Sequence, residues 1–165
     1  MDIISHALWG GTVIRKKPLA WLALLTGAAP DILGSGPAFV YLIVAHGKFW
    51  SSETWMLLPQ ILKDNYHFWH TILAAMLVGV FLLFWGKRFM IFIIPYLLHI
   101  VMDLFTHQTD MLSRLFSPFV QYNINRVSGL DWWEHPWISW TNLGLLVSVN
   151  MVLWYRAKRK IRAVV

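Results

Sequence analysis

The sequence predicts an all-α, polytopic membrane protein. We read one domain over residues 1–165, with about four to five membrane-embedded helices and a metal site between them. Three observations predict it. First, hydrophobic residues make up 58% of the chain and charged residues 13%, with mean hydropathy +0.54. Soluble domains run at roughly 45–50% and about 25%. A chain this short and apolar lacks the polar surface to cover itself in water. Second, several apolar runs approach the roughly 20 residues that a helix needs to cross a hydrocarbon core. Third, 10 of the 14 basic residues gather at Arg15–Lys17, Lys87–Arg88 and Arg156–Arg162, each at the end of an apolar run. All eight acids and all seven histidines lie elsewhere.

These features exclude a disordered chain, a coiled coil and almost any soluble enzyme. Zero Cys excludes disulfides, thiolate zinc sites and cysteine nucleophiles. The pI near 9.8 would suggest a nucleic-acid partner in a soluble protein. Here the basic clusters instead follow the bias of cytoplasmic membrane ends, and no nucleic acid is expected. The basic tail also suits contact with anionic lipid.

In chain order, Asp2–Ile14 has helical apolar spacing but extends only about 20 Å. Leu19–Ala45 is apolar but interrupted by Pro30-Asp31 and by Gly34-Ser35-Gly36-Pro37. Proline disfavours a helix interior, so we expect a helix from Leu19 to Ala29 and a turn. A re-entrant or interfacial segment follows at Ala38–Ala45. Phe68–Gly86 and Trp137–Tyr155 read as full spans, and Phe89–Phe105 is long enough despite His99 and Asp103. His46–His67 and His107–Pro136 read as irregular. The order of a cleavable signal is lacking, and no repeat or linker is evident.

With Lys87-Arg88 and the tail cytoplasmic, the two irregular stretches lie outside a plasma (inner) membrane. Trp50, Trp55, Trp69, Trp132, Trp133, Trp137 and Trp140 then fall at the outer level, and Trp21, Trp85 and Trp154 near the inner clusters. That matches aromatic belts at both interfaces.

Measured from the basic clusters, His6, Asp31, His70, His99 and Asp103 all reach the middle or outer half of the bilayer. They come from four helical segments. Ionisable groups at that depth are costly and mark function. His99, Asp103 and His107 share one helix face by i, i+4, i+8 spacing, and His67 and His70 share one by i, i+3. Imidazole and carboxylate without thiolate suit zinc or another divalent metal. His6, Asp31, His70, His99 and Asp103 lead as ligands, with His67 and His107 in reserve. Asp31 or Asp103 is the candidate general base. Arg114 and Arg126 are candidates to bind a lipid phosphate. Ser5, Thr71 and Thr106 are placed around the ligands rather than as nucleophiles.

Five pieces of the chain resemble a known family. Met1-Asp-Ile-Ile-Ser-His-Ala-Leu-Trp-Gly10 resembles the MD-x-x-[TS]-H-A-L-x-G opening of bacterial and archaeal membrane-bound metal-dependent hydrolases. These are relatives of the LexA-regulated inner-membrane hydrolase of the YdjM type. Gly27–Asp31 resembles their L-P-D-x-D segment, and His70–Leu73 the end of their H-R-G-x-T-H-S-L-L block. His99–Thr106 resembles their H-x-x-x-D-x-x-T block, and Leu115–Phe119 with Trp132-Trp133 their P-F loop. The resemblance implies a multi-pass membrane enzyme that is metal-dependent and hydrolytic. It implies a His/Asp pattern similar to zinc phospholipase C and P1 nuclease. We expect zinc, a lipid-like ester or phosphoester substrate and a site facing the non-cytoplasmic side. Three positions depart from the pattern: Leu33 replaces the second acid of L-P-D-x-D, and Asn65 and Tyr66 align with the first His and the Arg of the third block. The alternative expectation is a non-enzymatic membrane protein, with the cluster serving as a proton or cation path or a structural metal site.

Overall fold

The computed structural model describes residues 2–15, 19–106, 115–117 and 135–162. Every regular element among them is helical. Helix α1 covers Ile3–Val13, α2 Ala20–His46, α3 Ser52–Trp55, α4 Gln60–Trp69 and α5 Ile72–Phe84. A 3₁₀ turn over Lys87–Phe92 leads into α6, Ile93–Thr106, and the last helix, α7, runs over Pro136–Arg162.

Asp2 starts α1 by accepting from the Ser5 backbone N–H at 2.8 Å. The length of α2 corrects the expected turn: it is one continuous helix of 27 residues through both Pro30 and Pro37. Proline at 37 withholds the N–H that would bond the carbonyl of residue 33. The Asn65 side-chain amide replaces it, donating to the Leu33 carbonyl at 2.8 Å and the Gly34 carbonyl at 3.2 Å. A partner on α4 thus satisfies the bond lost at Pro37.

A second correction concerns Phe68–Gly86, expected as one span. The chain bends by 63° between α4 and α5. Thr71 makes the break: its hydroxyl donates to the Phe68 carbonyl at 2.7 Å and accepts the Ala74 N–H at 3.1 Å, starting α5 afresh. The buried Tyr96 hydroxyl holds the bend from α6, donating to the Trp69 carbonyl at 2.6 Å. The stretch His46–His67 is not irregular either. It contains α3, started by a reciprocal Ser51–Thr54 capping box, and most of α4, which begins after Pro59.

Three helices are long and apolar enough to cross a membrane: Ala20–His46, Lys87–Thr106 and Trp137–Arg159. The bent α4–α5 pair is a fourth if counted as one broken span. The pattern of burial is inverted relative to a water-soluble domain. His6, His99 and Asp103 are almost fully buried, whereas Phe84 is 85% and Val44 80% exposed.

Helices α1 and α2 cross at touching distance through Gly10 and Gly27. A Cβ at Gly27 would lie 2.7 Å from the His6 carbonyl oxygen and 3.4 Å from Gly10 Cα. Helix α7 docks on α1 through polar side chains. Asn142 donates to Ser5 Oγ at 2.8 Å and accepts from Trp9 Nε1 at 2.7 Å. Two turns further along the same side, Asn150 donates to Thr12 Oγ1 at 3.0 Å.

Candidate metal centre

Four helical segments deliver five side chains to one buried point. His6 comes from α1, Asp31 from α2, His70 from the break after α4, and His99 and Asp103 from successive turns of α6. Each has a local reason to be there. Gly10 and Gly27 let α1 approach α2 closely enough for His6 to enter. Asp31 follows Pro30 on α2, and Ser35 one turn on donates to its Oδ1 at 3.3 Å. His70 is the residue at which α4 ends, so the bend carries its ring into the bundle. His99 and Asp103 share a face by i, i+4 spacing.

The ring nitrogens are oriented by the backbone. His99 Nδ1 lies 2.7 Å from the Gly27 carbonyl oxygen, and His70 Nδ1 lies 2.7 Å from that of Tyr66. A carbonyl oxygen only accepts, so each Nδ1 carries the hydrogen. Both rings then present Nε2 to the centre, and the two Nε2 atoms stand 3.3 Å apart. In the neutral rings these are two lone pairs facing each other. They repel unless a proton or a cation lies between them.

The carboxylates complete the set. Asp103 Oδ2 is 3.0 Å from His99 Nε2 and 3.6 Å from His70 Nε2. Asp31 Oδ1 is 3.6 Å from His70 Nε2 and 3.9 Å from His99 Nε2. The other oxygen of Asp103, Oδ1, is 2.9 Å from His6 Nε2. The His6 ring stacks on His99 with centroids 3.6 Å apart. Asp31 is the least enclosed member, its side chain 14% exposed against 3% or less for the other four. Among the described residues, the buried Asp31 Oδ2 and His6 Nδ1 have no hydrogen-bond partner. Buried polar atoms in that condition cost free energy unless something else satisfies them. Two triads, His6/Asp31/His99 and His70/His99/Asp103, each bring three ligand atoms within 4.8 Å of one another and can hold a metal ion.

His67 sits apart from this group. It lies three residues before His70 on α4, but its ring packs edge-on against Trp55 and Tyr66, with centroids 5.9 and 5.3 Å away. His107, Arg114 and Arg126 lie outside the described residues. The hydroxyls near the centre have structural bonds. Ser5 Oγ donates to Asp2 at 2.7 Å while accepting from Asn142, Thr71 starts α5, and Thr106 donates to the Met102 carbonyl at 3.1 Å.

Sequence reasoning missed three contributors. Gly27 and Tyr66 act through backbone carbonyls, which no side-chain motif reports. Asn65 supports the helix that carries Asp31. Its signal was available in Pro37, whose missing N–H demands a partner for a carbonyl four residues earlier. Comparison with protein-family models, curated proteins and solved structures gives no match for this chain.

Proposed function

We propose that this protein is a multi-pass plasma-membrane hydrolase that depends on a divalent metal, most simply zinc. It belongs with the membrane-bound metal-dependent hydrolases its motifs resemble. Its substrate is a lipid-borne ester or phosphoester, reached from the non-cytoplasmic side. One observation carries the reading: two backbone-locked imidazoles aim Nε2 lone pairs at each other across 3.3 Å, with carboxylate oxygens alongside. Donor atoms of a tetrahedral zinc ion lie about 3.3 Å apart, given metal–ligand distances near 2.0–2.1 Å. The His70–His99–Asp103 separations of 3.3, 3.0 and 3.6 Å fit that edge length. The membrane setting is supported by the apolar exposed helices and the inverted burial.

In this reading His70, His99 and Asp103 hold the ion. Once bound, the ion supplies Lewis acidity toward the scissile group and a more acidic water. Asp31 stands further off, is partly exposed and keeps Oδ2 unpaired, so it serves as the base that takes the proton of the attacking water. Ser35 holds the other Asp31 oxygen and so aims Oδ2. His6 braces Asp103 and stacks on His99, fixing both ligands. Leu33 and Asn65, in place of the family's acid and His, are consistent with a single ion.

The same facing nitrogens favour one second reading, a shared proton on a conduction path, since His99 Nε2 is also 3.0 Å from Asp103 Oδ2. The deciding experiment measures metal content of the purified protein. It then offers a panel of phospholipids and polyprenyl phosphates with and without chelator. Tightly held metal and chelator-sensitive cleavage are expected. Metal-free protein that conducts protons would establish the relay, and cleavage indifferent to chelator would defeat the metal mechanism.

A further inference from the structure

The face of α7 turned away from α1 changes character in a fixed order along its C-terminal part. At 100° per residue, Asn142, Leu146 and Asn150 lie on the side docked to α1. Met151, Tyr155 and Arg159 lie opposite. A shallow, open surface depression there is lined by Met151, Val152, Tyr155 and Arg159, with Trp154 and Arg156 on its two flanks. The apolar pair comes first, then two half-exposed aromatic rings, then the cations. The two cations that follow the rings by four residues sit over them. Lys158 Nζ is 4.1 Å from the Trp154 ring centre, and Arg159 Cζ is 5.1 Å from that of Tyr155. Among the described residues, Arg156, Lys158 and Arg159 have no acidic partner within ion-pair distance.

We infer that this depression binds an anionic phospholipid of the leaflet at the basic end of α7. The order of the lining matches the order of such a lipid: acyl chain, ester region, then phosphate. Depth agrees with it. From Trp137 to Tyr155 the helix rises about 28 Å, close to the thickness of the hydrocarbon core. The rings then stand at the interface and the three cations among the headgroups. Aromatic rings hold the cations in place before the lipid arrives, so less side-chain freedom is lost on binding. The assignment rests on the membrane setting of the proposed function and not on its chemistry. It concerns a resident lipid at the opposite end of the bundle from the outward-facing site.

The test uses the full-length protein in detergent, with phosphatidylglycerol and phosphatidylcholine as probes and bound lipids counted by native mass spectrometry. Phosphatidylglycerol should be retained preferentially, and less so at higher salt. Each surface Lys or Arg contributes roughly fivefold to anionic-lipid binding, so the R156Q/K158Q/R159Q variant should lose roughly 100-fold. Replacing Lys48 and Lys63 with Gln, elsewhere on the protein, should leave retention unchanged. Equal retention of both lipids, or an unaffected triple variant, would overturn the assignment. Displacement of phosphatidylglycerol by millimolar inorganic phosphate would identify a soluble anion as the occupant and also overturn it. Metal content, measured on the same samples, reports on the hydrolase reading separately.

Discussion

Replacing Gly27 with Ala tests how the candidate metal centre is held together. The added methyl would sit 2.7 Å from the His6 carbonyl oxygen, whereas ordinary contact begins at 3.4 Å. The shortfall of about 0.7 Å is against backbone on both sides, so no side-chain rotation relieves it. Helix α1 must move away from α2 and take His6 with it. The same residue supplies the carbonyl that locks the His99 tautomer at 2.7 Å, so the perturbation reaches two members of the centre at once. Overpacking of this kind costs about 1–3 kcal/mol. For a chain of this size that is roughly 2–10 °C in melting temperature. We expect a lower melting temperature in detergent and at least tenfold weaker metal binding, as is usual when groups that orient ligands are disturbed. Gly144→Ala is the internal control, because a Cβ there meets nothing within 4 Å. Thermal unfolding and metal titration of both variants decide the matter. If Gly27→Ala matches Gly144→Ala in both, the close crossing does not set the geometry of the centre.

Other expectations follow from the same geometry. His99→Ala and Asp103→Ala should each release metal, measured by elemental analysis of folded protein, while His135→Ala at the start of α7 should retain it. Asn65→Leu should destabilise the protein by about 1–3 kcal/mol, read as a loss of thermal stability, because the Leu33 carbonyl loses its partner. Asp31→Asn should lower kcat far more than it lowers metal affinity, separating a base from a ligand. Acidification should release the metal reversibly, since imidazole ligates only as the neutral base, and equilibrium dialysis across a pH series measures it.

Much of the arrangement was legible in the sequence, and the exceptions have physical causes. His99 and Asp103 could be paired from spacing alone, because i, i+4 residues share a helix face in any context. Long apolar runs mark α6, α7 and the first part of α2, because run length does not depend on tertiary context. Pro37 reads as a break in the sequence because the distant side chain that offsets its penalty, Asn65, leaves no local signal. Phe68–Gly86 misled in the opposite sense. Its hydropathy is continuous, and the break depends on what Thr71 and Tyr96 bond, which hydropathy does not register. Spacing puts His67 on the face of His70, but it does not report that the His67 ring packs edge-on against Trp55 and Tyr66. The tautomers of His70 and His99 were out of reach altogether. They depend on carbonyls exposed to them by folding, one of which lies 72 residues away in the chain.

The carboxamide contacts between α7 and α1 bear on how the molecule is assembled. They join the first helix to the last, across 133 to 138 residues. All five residues of the centre precede α7, so in the proposed membrane setting a chain inserted in order of synthesis carries the whole centre before this helix is made. Closure then depends on register. Asn142 must meet Ser5 and Trp9 while Asn150 meets Thr12, two turns apart. In the proposed membrane setting a slip of one turn would strand the Asn142 amide among lipid chains, at a cost of about 1–3 kcal/mol, while Asn150 would lose Thr12 and keep only the Leu146 carbonyl of its own helix. Lipid competes well with apolar packing but offers no hydrogen bonds, so these pairs specify where the final helix stops.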